Sequence, residues 1–125
     1  MHGVTIIDSS YSANPNGVIA DLDYLSLYEG KKVMIMPCLI ELGEASKRVH
    51  KRIGEKIAEV CDLAIITTKE HFQDIKEGAK QSDKVIYIEG AQEIFNKLQS
   101  FNTEKDAILL EGRVPNKVLE LLQEE

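Results

Sequence analysis

Five short apolar runs recur along the chain, and a stretch with helical periodicity follows each of them. The runs are rich in Val, Ile and Leu, and none alternates cleanly with polar residues. This pattern is typical of strands that are buried on both faces, as in a parallel sheet. The predicted strands span residues 4–8, 32–37, 63–68, 84–89 and 107–112.

Apolar residues three or four positions apart predict a helix after every run. The clearest stripe predicts a helix over about residues 47–60, with Ser46 as its cap and His50 on its polar side. Thr68 is placed to cap the helix that follows the third run. The stripes consist of Val18, Leu22 and Leu25; Val49, Ile53, Ile57 and Val60; Phe72, Ile75 and Ala79; Ile94, Leu98 and Phe101; and Val118, Leu119 and Leu122.

A β-α unit repeated five times, with short connections, predicts a particular architecture. Right-handed crossovers place helices on both faces of one sheet. We therefore expect a three-layer, Rossmann-like α/β domain with a mostly parallel sheet of about five strands. The order of the strands in that sheet does not follow from the pattern.

Length and charge narrow the class of protein. The 125 residues fit one domain over positions 1–125, and the net charge of −6 argues against nucleic acid or an anionic membrane as a partner. We expect no membrane span and no secretory signal.

Cys38 and Cys61 fit no metal-ligand spacing, and we expect reduced, buried thiols in a cytoplasmic protein.

A polar, turn-rich segment, DSSYSANPNG, follows the first predicted strand. Ligands bind at the carboxyl ends of parallel strands, so this segment is a candidate site. Asn-Pro and Asn-Gly are also good turn formers, and the pattern leaves both interpretations open.

The chain has no glycine-rich phosphate loop and no dinucleotide fingerprint, and no Ser-His-Asp or Cys-His order stands out. No cluster of His, Cys or carboxylates has metal-ligand spacing.

Two motifs at a distinctive separation suggest a family. The first motif consists of Asp8, Ser10, Tyr11, Ala13, Asn14 and Pro15, and the second consists of Glu41, Leu42, Gly43, Ser46, His50 and Gly54. With these residues the chain, over about positions 4–122, resembles the C-terminal domain of the Mur ligases. Within that family it is most similar to the ligases that add D-alanyl-D-alanine to a UDP-N-acetylmuramoyl tripeptide.

The resemblance implies a function for a part of an enzyme. Mur ligases have an N-terminal domain for the UDP-sugar, a central domain for ATP and Mg²⁺, and a C-terminal domain that closes over the site. The first two domains are absent here, so we expect a fragment of a longer chain. It would be the substrate-binding, closing domain of a cytoplasmic ATP-dependent amide ligase of peptidoglycan precursor synthesis. Its partners would be the other two domains and an amino acid or dipeptide. Alone, it would have no turnover and bind no cofactor strongly.

The resemblance also implies site residues, none of them catalytic and none a metal ligand. Those expected to face the nucleotide are Asp8, Ser9, Ser10, Tyr11 and Asn14, and those expected to bind substrate are Glu41, Gly112 and Arg113. Plain packing of Tyr11, a loop-holding role for Glu41 and an ion pair between Arg113 and Glu111 remain open for these residues. For His50 we expect a structural hydrogen bond to the second loop.

Three loops depart from the family pattern. Ser9 replaces an aspartate that reaches the ATP ribose, residues 37–39 replace Gly-Asp-Met, and Glu111 replaces a lysine. These departures keep a second hypothesis open, a stand-alone Rossmann-like module that binds a nucleotide or a protein. An apolar surface around Tyr11 and residues 39–42 would favour the ligase domain, and a polar one would favour the module.

Overall fold

The computed structural model describes residues 3–9, 14–101 and 104–123, and it confirms the α/β prediction. Strands and helices alternate along the chain. The strands are β1 (Thr5–Ser9), β2 (Lys32–Met36), β3 (Leu63–Ile66), β4 (Val85–Tyr87) and β5 (Ala107–Glu111). The helices are α1 (Pro15–Leu25), α2 (Ser46–Val60), α3 (Phe72–Gly78), α4 (Ala91–Lys97) and α5 (Asn116–Gln123). Short 3₁₀ helices precede α2 at Gly43–Ala45 and follow α4 at Leu98–Ser100.

All strand pairs are parallel, and the order across the sheet is β1-β5-β2-β3-β4. The last strand therefore enters between the first and the second. In this register Ser9 lies opposite Glu111. Because parallel strands end at the same edge, the loops after β1, β5 and β2 are neighbours.

The sheet is covered on both faces, as the unbroken apolar runs predict. Residues of α1, α2 and α3 share one core cluster with alternate strand residues, and residues of α4 and α5 share the other cluster. Met34 and Leu109 point to the first layer, whereas Ile35 and Leu110 point to the second. Such two-sided burial supplies most of the stabilisation of a fold of this kind.

Helices α2 and α3 approach each other closely through two glycines. A Cβ atom on Gly54 would collide with the carbonyl oxygen of Ile75, and one on Gly78 would collide with the carbonyl oxygen of Lys51. Only glycine permits backbones to pack at this separation. The close contact brings together the N-terminal ends of the two helices, at the edge of the sheet where β2 and β3 end.

The structure corrects three details of the helices. Ala45 rather than Ser46 precedes α2, with no side-chain cap, and Ser46 is the first helical residue. Thr68 does not cap α3, since its hydroxyl instead accepts a hydrogen bond from the Cys38 N–H at 2.8 Å. His50 is fully buried, not on the polar side, because the close contact at Gly54 turns that face of α2 towards α3.

Both cysteines are buried and unpaired, which confirms that part of the prediction. Among the described residues, no helix has the length and apolar character needed to cross a membrane.

Candidate functional site

The predicted site residues gather at the carboxyl ends of three neighbouring strands. Asp8 and Ser9 end β1, Gly112 and Arg113 follow β5, and Glu41 follows β2. The strand order is what unites them, since β5 lies between β1 and β2. The loops that carry the two sequence motifs thus flank the loop that carries the candidate substrate-binding arginine.

The end of β1 joins the start of α1 through the turn-rich segment. Asn14 caps α1, because its Oδ1 accepts a hydrogen bond from the Gly17 N–H at 2.8 Å, and Pro15 begins the helix. Asn-Pro therefore forms the start of a helix, with Asn14 as its N-cap. Asp8 is exposed at the strand end. Ser10 and Tyr11 lie outside the described residues.

The loop after β5 presents an arginine. Gly112 is buried and has a φ of 71°, and its N–H donates to the Ser9 carbonyl at 3.1 Å. The Val114 N–H donates to the Gly112 carbonyl at 3.0 Å, which closes a three-residue turn centred on Arg113. The side chain of Arg113 lies at the surface. Within the described part of the chain, Arg113 and Glu111 form no ion pair.

Glu111, in the place of the family's lysine, turns away from this surface. It is 1% exposed and faces Asp21 of α1. Burial, then a hydrogen bond to Asp21 and the charge of that residue, raise the pKa of Glu111 to about 9. Among the described residues no protein N–H or O–H donor reaches its Oε2 atom. The Glu111 carboxyl therefore keeps its proton at neutral pH and donates it in a hydrogen bond to the Asp21 carboxylate.

The loop after β2 holds Glu41 in an unusual conformation. Glu41 is exposed and has a φ of 60°, in the left-handed region that costs a non-glycine residue about 1 kcal/mol. Such strained residues cluster at functional loops. The neighbouring Ile40 is 75% exposed, whereas Leu39 is buried.

His50 fastens this loop to α2, as the sequence predicts. The Leu39 N–H donates to His50 Nε2 at 2.9 Å, and His50 Nδ1 donates to the Ser46 carbonyl at 2.7 Å. These two bonds fix the neutral tautomer with its proton on Nδ1. Burial lowers the pKa of His50, so the ring stays neutral.

A second histidine completes a constellation that the sequence does not reveal. Ser46 Oγ lies 2.9 Å from His71 Nε2, and His71 Nδ1 lies 3.2 Å from Asp74 Oδ2. No Ser-His-Asp order stands out along the sequence, and it is the fold that brings these three residues together. Ser46 begins α2 and His71 immediately precedes α3, and only the contact between these two helices brings the side chains together. No local sequence signal announces that contact.

The end of β1 presents oxygen atoms at the edge of the sheet. Asp8, at the exposed end of β1, carries a carboxylate that can accept from hydroxyl groups, and Ser9 carries a hydroxyl. Among residues 3–9, 14–101 and 104–123, no group of three or more His, Cys, Asp or Glu could hold a metal ion.

Comparison of the sequence with known protein families shows to which family the chain belongs. The family model for the Mur ligase, glutamate ligase domain, matches residues 1–114. The chain belongs to the Mur ligase family. It corresponds to the C-terminal domain of these enzymes, as its two motifs predict.

The similar proteins include ligases specific for a dipeptide. The UDP-N-acetylmuramoyl-tripeptide–D-alanyl-D-alanine ligase of Bacillus subtilis (strain 168) is 24% identical over 98% of this chain. The MurF ligase of Thermotoga maritima, crystallised with ADP, has a TM-score of 0.82 and 28% identity over 96% of the chain. MurF of Acinetobacter baumannii has a TM-score of 0.78 and 26% identity over 95% of the chain. The chain spans 28% of the length of each of these three relatives.

Proposed function

We propose that this chain is the closing, substrate-binding domain of an ATP-dependent amide ligase of peptidoglycan precursor synthesis. The observation that carries the proposal is the family match over residues 1–114, in a chain that spans 28% of its relatives. The remaining length of those relatives leaves room for the N-terminal and central domains. In this proposal the domain has no turnover alone, and the whole enzyme is cytoplasmic.

The nucleotide would lie at the ends of β1 and β5. Asp8 and Ser9 would meet the ribose, with Asn14, Ser10 and Tyr11 on the same loop. The relative from Thermotoga maritima was crystallised with ADP, which supports ATP as the cofactor. Mg²⁺ would be held by the central domain, and the ion would screen the phosphate charge when the acyl phosphate forms.

The incoming amino acid or dipeptide would lie between the loops after β5 and β2. Arg113 is exposed at a tight turn, and its planar fork matches a carboxylate bidentately. The Gly112 backbone would shape the pocket beneath it. Glu41, on the strained loop next to it, would orient the attacking ammonium.

Domain closure would bring these loops against the central domain. Ile40 is 75% exposed at the tip of the second loop, next to Glu41. A single exposed isoleucine is not an apolar patch, so the family match, rather than this surface, favours the ligase domain over a self-sufficient module. Closure positions the amine and excludes water from a hydrolysable acyl phosphate.

Titration of the ¹⁵N-labelled chain with ADP tests the placement of the nucleotide. We expect weak, millimolar binding that shifts the amide resonances of Asp8, Ser9 and Gly112. The resonances of α4, on the far face of the sheet, serve as the internal control. Shifts confined to α4, or no shift at millimolar ADP, would contradict the nucleotide assignment.

A second titration, with D-alanyl-D-alanine, tests the substrate site. Arg113→Ala should weaken dipeptide binding about tenfold or more, since one charge-assisted bidentate bond contributes roughly 1.5–3 kcal/mol. ADP binding should stay unchanged. Arg52→Ala, an exposed arginine of α2, is the matched control. Equal dipeptide binding by the wild type and Arg113→Ala would contradict the role of the arginine.

A further inference from the structure

Three polar side chains at the N-terminal ends of α2 and α3 form a continuous hydrogen-bonded line. Ser46 Oγ lies 2.9 Å from His71 Nε2, and His71 Nδ1 lies 3.2 Å from Asp74 Oδ2. The distances match those of a nucleophile, a base and the carboxylate that orients the base. Such an arrangement is recognised by geometry rather than by the order of residues along the chain.

The surrounding hydrogen bonds fix the direction of each proton. The proton of His50 Nδ1 goes to the Ser46 carbonyl at 2.7 Å, because Nε2 of the same ring accepts from the Leu39 N–H. Ser46 Oγ lies farther away, 3.4 Å from His50 Nδ1. The Ser46 hydroxyl therefore donates to His71 Nε2, and His71 Nδ1 donates to Asp74. This is the tautomer in which the imidazole can accept the serine proton.

The positions of the three residues are held by their neighbours. The His71 ring stacks on the buried His50 ring with centroids 4.4 Å apart and planes 19° apart. The His71 N–H donates to Cys38 Sγ at 3.3 Å. The close packing of α2 on α3 through Gly54 sets the spacing between the loops. His71 is thus held by a hydrogen bond from its backbone N–H, by stacking on its ring and by hydrogen bonds at both ring nitrogens.

The line is open to solvent and lies where this fold places ligands. The His71 side chain is 32% exposed and the Asp74 side chain is 18% exposed. Ser46 and His71 follow the carboxyl ends of β2 and β3, at the edge of the sheet. Ser46 is also the first residue of α2, and the positive end of that 15-residue helix favours a developing oxyanion.

We propose that Ser46, His71 and Asp74 form a nucleophilic triad that cleaves carboxylic esters, separately from the ligase function. Ser46 Oγ forms a bond to the ester carbonyl carbon while its proton passes to His71 Nε2. The carbon–oxygen bond to the alcohol then breaks, and His71 returns the proton to the departing oxygen. Water then bonds to the acyl carbon while its proton passes to His71 Nε2. The bond between that carbon and Ser46 Oγ breaks, the proton returns to Oγ, and the carboxylic acid leaves.

Labelling of the chain with a fluorophosphonate probe tests the proposal directly, because such probes react with activated serines. We expect one label per chain, on the peptide that contains Ser46, with no label on the peptide that contains Ser26. Ser26, whose hydroxyl donates to the Asp23 carbonyl without any histidine, is the internal control. An unlabelled Ser46 in the folded wild-type chain would overturn the proposal, and this test needs no variant to fold.

Hydrolysis of p-nitrophenyl acetate separates a serine nucleophile from a histidine nucleophile. We expect Ser46→Ala and His71→Gln to lose the activity and Asp74→Asn to lower it tenfold or more, with Ser26→Ala unchanged. The thermal unfolding of each variant is measured alongside. Activity that survives in a folded Ser46→Ala variant and vanishes in His71→Gln would identify the imidazole as the nucleophile, which would also overturn the proposal.

Discussion

Two buried titratable residues respond to burial in opposite directions. Glu111 retains its proton because it is buried against Asp21, whereas His50 loses its proton because it is buried beneath the Leu39 loop. In both cases the neutral form is favoured, as the desolvation of charge requires. The stability of the domain should therefore depend on pH at both ends of the neutral range.

Glu111→Gln should remove a loss of stability that the wild type shows between about pH 4.5 and pH 9. The folded pKa of about 9 lies above the ordinary value of 4.5, so the folded state binds more protons between these values. The contribution of Glu111 to stability is fully present below pH 4.5 and is lost as the pH rises towards 9, with a limiting slope of about 1.4 kcal/mol per pH unit. Urea unfolding at pH 5, 7 and 9 measures the free energy of unfolding and hence this slope.

The glutamine variant should show a flatter profile than the wild type, with the largest difference at pH 9. Glu89→Gln, at an exposed position, is the control and should follow the wild type. Parallel profiles for the wild type and Glu111→Gln would show that the buried carboxyl does not keep its proton.

His50→Ala should destabilise the domain by about 3 kcal/mol at pH 7, because it leaves a cavity and an unpaired Leu39 N–H. The folded pKa of His50 is lowered, so its stabilising contribution is present above pH 6.5 and is lost as the pH falls. The variant should therefore differ less from the wild type at pH 5 than at pH 7. Lys47→Ala, on the exposed side of α2, should change stability by less than about 0.5 kcal/mol. A difference that grows at pH 5 would contradict a neutral, buried ring.

At the scale of elements, the contact between α2 and α3 decides the geometry of two loops. It buries His50, which fastens the Glu41 loop, and it brings His71 to Ser46. Both consequences depend on the absence of a side chain at Gly54 and Gly78.

Gly54→Ala should force the helices apart. Its new Cβ would meet the rigid backbone at Ile75, so a cost of about 2–3 kcal/mol is expected from overpacking. Chemical denaturation measures this cost. Gly90→Ala is the matched control, because its nearest neighbour at 3.2 Å is the flexible Glu93 carboxylate, and the cost should stay below about 0.5 kcal/mol. Equal stability of the two variants would be inconsistent with a backbone contact at Gly54.

The elements themselves follow from the sequence, whereas their neighbours in space do not. Runs such as residues 63–66 become strands because both of their faces are buried. The insertion of β5 between β1 and β2 depends on contacts between residues about a hundred positions apart in the sequence. No local sequence pattern predicts such contacts. The motifs therefore indicated the loops of the site, and only the topology brought Arg113 between them.

The error at His50 has a different physical cause. Ile53 and Ile57 mark the buried face of α2, and His50, three and seven positions before them, lies on that same face. Gly54 contributes no apolar side chain to the pattern, yet it marks the face that packs most closely. The polarity of histidine suggests the surface, but the ring lies inside because both of its nitrogens are hydrogen-bonded.

At the scale of the whole molecule, one edge of the sheet collects the described residues that the proposed function uses. The edge holds the capped loop after β1, the arginine turn after β5 and the strained loop after β2, with Ile40 exposed at its tip. The proposed function requires that this edge face a second domain of the same polypeptide.

The size of the native polypeptide tests that requirement most directly. An antibody raised against this domain would be used to probe an extract of the source cells, with the purified 14.0 kDa chain as the size marker. Since the chain spans 28% of the length of its relatives, we expect a single band at about 50 kDa, the size of a polypeptide with several domains. A band that migrates with the marker would contradict the ligase-domain account and favour an independent module.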